Sequence, residues 1–84
     1  MGVVWELKLL MKTLDELGEG NSANIVSIKP CEIKRRLIEM GFVKGSEIHV
    51  VKYAPLRDPI ELLIKGYHVF LRRDEARYIE IEEN

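Results

Sequence analysis

The chain has 84 residues, which allows one small domain, because a single core usually serves about 100 to 150 residues before a chain divides. Apolar residues make up 46% and charged residues 32%, a composition that argues against a disordered tail or a coiled coil. The formal net charge is −1, so no sequence-wide positive field attracts nucleic acid. These figures exclude a two-domain enzyme and predict a compact module.

The number of cysteines and the length of the apolar runs indicate the cellular compartment of the protein. Cys31 is the single cysteine, so no intramolecular disulfide can form and a reducing compartment is expected. Residues 1–10 are interpreted as an N-terminal extension without a basic leader or a small-residue cleavage site. No run reaches the ~20 apolar residues that span a bilayer. We therefore expect a cytoplasmic protein that meets a membrane only through a partner.

The N-terminal half predicts a helical turn, a strand and the main helix. Thr13 and Glu16 have the spacing of a capping box, which indicates a short helix. Residues 24–28 are rich in β-branched side chains and indicate a strand. Apolar residues then recur at i, i+4 and i+7, which predicts a helix over residues 31–40. The expected buried stripe of that helix consists of Ile33, Leu37 and Met40.

The second half has an apolar period of two, which is typical of half-buried strands. Prolines at 55 and 59 cannot donate to a sheet ladder, so the segment 54–59 is predicted to be a loop. Lys65 and Gly66 fit a hairpin turn. A helical turn capped by Asp74 is expected before the last strand. The predicted strands lie at residues 46–53, 60–64, 67–71 and 79–82.

Five short strands in so small a chain would leave exposed sheet edges unless the sheet curled and closed. The predicted fold is therefore mainly β: a small five-stranded barrel with one principal α-helix and one or two short helical segments.

Few side chains could carry chemistry. The candidate metal ligands are Cys31, His49 and His68, which lie in separate predicted elements without the spacing of a metal motif. An incidental thiol and exposed strand histidines are the simpler interpretation. No cofactor is expected to be required, and a bound transition metal, iron or another divalent ion, is left open. The glycines form no phosphate-binding loop, which excludes nucleotide hydrolysis and leaves no predicted catalytic residue.

Four segments, in this order and spacing, resemble the FeoA family of proteins associated with ferrous iron uptake. They are TLDEL at 13–17, RLIEMGFVKG at 36–45, APLRDPI at 54–60, and GY with LRR within 66–73. The resemblance covers residues 11–84, which we take as a FeoA-like domain. It implies an SH3-like barrel, no catalytic centre, and an accessory role that modulates the transporter FeoB.

The resemblance also implies partners. The cytoplasmic domain of FeoB is the expected partner, and a homo-oligomer is left open. An alternative is a metal-responsive regulatory module related to the C-terminal domain of metal-dependent repressors, although the chain has no helix-turn-helix of its own. A third interpretation is a nucleic-acid-binding barrel, against which the charge balance and the expected burial of several aromatic residues argue.

Two segments are the candidate partner-binding surface. The first is the loop that presents Leu56, Arg57 and Asp58 between two restraining prolines; the alternative is that Leu56 folds onto the core. Arg57 stands where the family loop commonly carries glycine, which argues against a required positive backbone angle. The second segment lies on the main helix and consists of Lys34, Arg35, Arg36 and Leu37, the last of which is also a predicted core residue.

Overall fold

The computed structural model describes residues 12–83, so the predicted extension 1–10 lies outside the described residues. Within this range no helix has the length and apolar character needed to cross a membrane. The strands are β1 (Lys12–Thr13), β2 (Ser22–Ile28), β3 (Glu47–Tyr53), β4 (Ile60–Ile64), β5 (Tyr67–Leu71) and β6 (Ile79–Glu83). The helices are α1 (Lys34–Glu39) and α2 (Arg73–Ala76), with 3-10 turns at Leu14–Glu16 and Pro55–Arg57.

All strands belong to one antiparallel sheet with the order β1-β6-β2-β3-β4-β5. The mainly β class with one principal helix and short helical segments is confirmed. The sixth strand, β1, was not predicted, because a pair of residues is too short to show a period of two. It forms by pairing with β6, where Lys12 lies opposite Ile81.

The core lies on one face of the sheet and is closed by α1 and the first 3-10 turn. Leu37 of α1 is fully buried, as the helical stripe predicts, while Ile33 and Met40 are partly buried against the core. The strands contribute side chains from alternate positions. The buried apolar residues of the described chain are Leu14, Leu17, Ala23, Ile25, Leu37, Phe42, Ile48, Val50, Ile60, Leu62, Ile64, Leu71, Ala76, Ile79 and Ile81.

Two helix starts differ from prediction. The helix predicted from residue 31 begins at Lys34, because the preceding residues form a turn in which the Lys34 amide donates to the Cys31 carbonyl (3.2 Å). Asp74 does not cap α2. The carboxylate of Glu75 does so instead, by accepting a hydrogen bond from the Arg72 amide (3.0 Å).

The β3–β4–β5 meander has the predicted strands, with one irregularity in register. A bulge between Val50 and Lys52 shifts the register by one residue, which returns Tyr53 to the side of Val50 and leaves Lys52 exposed. At the β4–β5 hairpin, Lys65 and Gly66 both have positive φ (51° and 82°), as in a type I′ turn. The predicted hairpin is confirmed. The expected burial of several aromatic residues is wrong for Tyr67 and Phe70, which are 74% and 62% exposed, because β5 is the edge strand of the sheet.

Candidate partner-binding surface

The loop between β3 and β4 holds its apolar tip away from the core. The Ala54 amide donates to the Pro59 carbonyl (3.0 Å), which joins the two ends of the loop. The Arg57 amide donates to the Ala54 carbonyl (2.7 Å), which closes the turn within it. The Asp58–Pro59 peptide bond is cis. The Leu56 side chain is 95% exposed, so the alternative that it folds onto the core is wrong.

Backbone conformation in this loop corrects one inference from the sequence. Leu56 and Arg57 have φ of 68° and 65°, which is the left-handed region. Arg57 therefore adopts a positive angle although it is not glycine, and its side chain offers a reason: the guanidinium lies 4.5 Å from the centroid of the Tyr53 ring. A cation over an aromatic face is stabilised by about 0.5–1 kcal/mol at an exposed site, which offsets part of the backbone strain.

Tyr53 fastens the loop to the first 3-10 turn. Its hydroxyl donates to the carbonyl oxygens of Asp15 (3.2 Å) and Leu17, and its amide donates to the Glu19 carboxylate (2.6 Å). Burial raises the pKa of the Tyr53 phenol, so the hydroxyl remains a donor across the neutral range. The sequence does not single out Tyr53 as an anchor, and its position directly before the loop is the one signal that points to it.

The third loop residue, Asp58, contacts α2. Its carboxylate accepts a hydrogen bond from the Arg73 amide (3.1 Å), which satisfies a donor at the start of that helix. A shallow polar hollow surrounds this contact and is lined by Asp15, Leu56, Asp58, Arg73, Asp74 and Arg77. The loop surface is thus an exposed leucine set among charges of both signs.

The basic segment of α1 divides into free and paired residues. Arg36 donates to the Glu75 carboxylate of α2 (2.5 Å), and Arg35 lies 3.9 Å from Glu39 one turn along the same helix. Lys34 forms no ion pair within the described residues. Leu37 is fully buried, so its side chain is not on the surface and it drops out of the candidate partner-binding residues.

The two candidate segments flank the same short helix. Asp58 of the loop bonds the amide of Arg73 in α2, and Arg36 of α1 bonds the side chain of Glu75 in α2. The structure therefore connects two segments that are about twenty residues apart in sequence.

The candidate metal ligands are not brought together. The Nδ1 atom of His49 on β3 contacts the Ser22 hydroxyl (2.8 Å), and the Nδ1 atom of His68 on β5 contacts the Glu61 carboxylate (2.8 Å). Leu63 of β4 lies between the two histidines in the register, and Cys31 is a free, half-buried thiol beside α1. Across residues 12–83, no three His, Cys, Asp or Glu side chains converge in a geometry that could hold a metal ion.

Comparison with known proteins gives a consistent result. A family model described as the FeoA domain matches residues 12–83. The chain is 47% identical over 70 residues to an Fe(2+) transport protein A/Fe(2+) transporter FeoB fusion protein of Porphyromonas gingivalis, covering 82% of this chain but 8% of that protein. It is 34% identical over 70 residues to a putative Fe(2+) transport protein A of Campylobacter jejuni, covering 82% of this chain and 95% of that protein.

Solved structures agree with the fold. FeoA of Stenotrophomonas maltophilia, solved as a zinc complex and described as a prokaryotic SH3 domain protein, has a TM-score of 0.77 and 33% identity over 84% of this chain and 89% of its own. A manganese-dependent transcriptional repressor reaches a TM-score of 0.81 at 18% identity, over 88% of this chain and 37% of its own, a likeness of fold alone. The predicted SH3-like fold is confirmed.

Proposed function

The chain belongs to the FeoA domain family, and from this premise we propose that it is a non-enzymatic accessory protein of ferrous iron uptake that binds the cytoplasmic part of the transporter FeoB. The observation that carries the proposal is the fusion protein of P. gingivalis, in which a segment similar to this chain is joined covalently to FeoB. A covalent link raises the effective concentration of two modules to about the millimolar range. Such a link is useful when the two modules act on each other.

The loop at residues 54–59 supports a docking role. Leu56 is 95% exposed and is held in a strained left-handed conformation on a loop fastened by Tyr53. Strain of this kind persists where the surroundings impose it, often at binding sites. A restrained loop also loses less entropy on binding. Burial of a leucine side chain contributes about 1.5–3 kcal/mol, which is enough for Leu56 to dominate a small interface.

The test is a titration of the whole chain against the cytoplasmic portion of FeoB from the same organism. Leu56→Ala should weaken binding about tenfold or more, and Arg57→Glu should slow association. Tyr67→Ala is the matched control, because Tyr67 is also exposed (74%) but lies on β5 beside the hairpin turn. Absence of binding by the unmodified chain would refute the proposed partner. Equal binding by the Leu56 variant would refute this interface.

The alternative, a metal-responsive regulatory module, draws on the likeness to the repressor, which concerns the fold alone. It requires a metal affinity that falls when Cys31, His49 or His68 is replaced. His49 lies on β3, His68 on β5 and Cys31 in the turn before α1, and the two histidines have separate partners. The accessory role is therefore the function we prefer, and metal titration of the three single variants decides between the two.

A further inference from the structure

An open apolar groove lies between β2 and α1. Its walls include Val26 and Ile28 of β2, Ile38 of α1 and Val43 of the following segment, and its volume is about 290 Å³. Ile38 is 44% exposed, although the residue before it on the helix is fully buried. The groove therefore leaves apolar surface uncovered beside the core.

The charged residues that line this groove, Lys34 and Lys44, are both positive. Both are exposed, and neither forms an ion pair within the described residues. One carboxylate, that of Glu80, contacts a lining side chain by accepting a hydrogen bond from the Ser27 hydroxyl (2.5 Å). Four other hollows on the described surface each include at least one Asp or Glu in their lining. This groove combines an apolar floor with two unpaired ammonium groups.

We propose that the groove binds a polypeptide segment that carries a large apolar side chain flanked by Asp or Glu residues. The apolar side chain would cover Ile38 and its neighbours, and the flanking carboxylates would pair with Lys34 and Lys44. The volume lies just below the range of about 300–1,000 Å³ typical of sites for whole small molecules, which favours a side chain as occupant. Phe42 is fully buried and offers no face on which a nucleic-acid base could stack.

The inference goes beyond the proposed function, because it specifies the chemistry of a bound segment at a surface other than the loop at residues 54–59. It holds whichever protein supplies the segment. It can therefore fail while binding to FeoB is observed, and it can succeed where that binding is absent.

The experiment is an NMR titration of the whole ¹⁵N-labelled chain with the blocked peptide Glu-Asp-Leu-Phe-Glu-Asp. We expect saturable shifts centred on the amides of Ile28, Ile38 and Val43. Two control peptides replace the central pair by Ser-Ser or the four acidic residues by Lys, and both should bind at least fivefold more weakly. Lys34→Glu should weaken binding of the acidic peptide by about threefold to tenfold, as expected for reversal of an exposed ion pair. Lys52 is also exposed but lies outside the groove, so the charge reversal Lys52→Glu should change binding of the acidic peptide by less than about twofold.

Ile38→Ser tests the apolar contact, and the dispersion of its amide resonances shows whether it is folded. A folded Ile38→Ser variant that binds the acidic peptide as tightly as the unmodified chain would overturn the proposal. Shifts centred elsewhere, no shift at millimolar peptide, or equal binding of the Ser-Ser control would also overturn it. So would anionic lipid vesicles that shift the groove resonances when the peptide does not.

Discussion

Replacement of Leu56 by glycine should stabilise the protein, while replacement by alanine should leave its stability nearly unchanged. Leu56 has a φ of 68°, and an L-residue in the left-handed region carries a penalty of roughly 1–2 kcal/mol from the approach of its Cβ to the following carbonyl. Glycine removes that penalty, whereas alanine keeps the Cβ and so keeps the penalty. The two substitutions remove almost the same side chain but differ in the backbone.

The magnitude follows from three contributions. Relief of the backbone strain stabilises the folded state by roughly 1–2 kcal/mol. The greater freedom of glycine in the unfolded chain opposes this by about 0.4–1 kcal/mol. The leucine side chain is 95% exposed, so its loss changes stability by no more than about 0.5 kcal/mol. The two backbone contributions combine to about 0–1.6 kcal/mol, and the centre of that range gives an expected net gain for Leu56→Gly of about 0.5–1 kcal/mol.

Equilibrium unfolding in urea measures this gain. With a slope of about 1 kcal/mol/M for a small protein, the midpoint for Leu56→Gly should rise by about 0.5–1 M, and that for Leu56→Ala should stay within about 0.5 M of the original. A midpoint for the glycine variant below that of the unmodified chain would refute the reasoning. It would mean that Leu56 makes stabilising contacts or that its backbone is unstrained.

Three further results are expected. Leu37→Ala should lower the free energy of unfolding by about 2–5 kcal/mol because Leu37 is fully buried, whereas Ile38→Ala, next to it but 44% exposed, should cost clearly less in the same urea titration. Hydrogen bonds from the Thr13 amide and hydroxyl lower the pKa of Glu16 from its ordinary value of 4.5. The resulting stabilisation is present above pH 4.5 and is lost as the pH falls through the lowered pKa. The difference in free energy of unfolding between the unmodified chain and Glu16→Gln should therefore shrink on acidification. The melting temperature should be the same with and without a strong chelator, and a large drop in chelator would reveal a structural metal site.

The elements that the sequence predicted well are those with a local cause. The alternation of β3 and β4, the turn at Lys65 and the burial of Leu37 depend on periods and turn chemistry that neighbouring residues show. The contact between Arg36 and Glu75 joins residues 39 positions apart, and no local pattern reports it. The sequence also does not determine whether the Leu56 side chain packs on the core or is exposed, because an apolar residue between prolines fits either position. The groove beside Ile38 depends on how α1 lies against β2, which helical periodicity does not define.

The two oxygens of the Glu75 carboxylate accept hydrogen bonds from different donors, and this links the two segments of the candidate binding surface. Oε2 accepts from Arg36 of α1, while Oε1 accepts from the amide at the start of α2. The same end of α2 is tied to the loop through Asp58. Through these hydrogen bonds, α1 and the loop are both linked to the start of α2. Binding energies of variants in the two segments should then be non-additive, as is usual for residues that share partners.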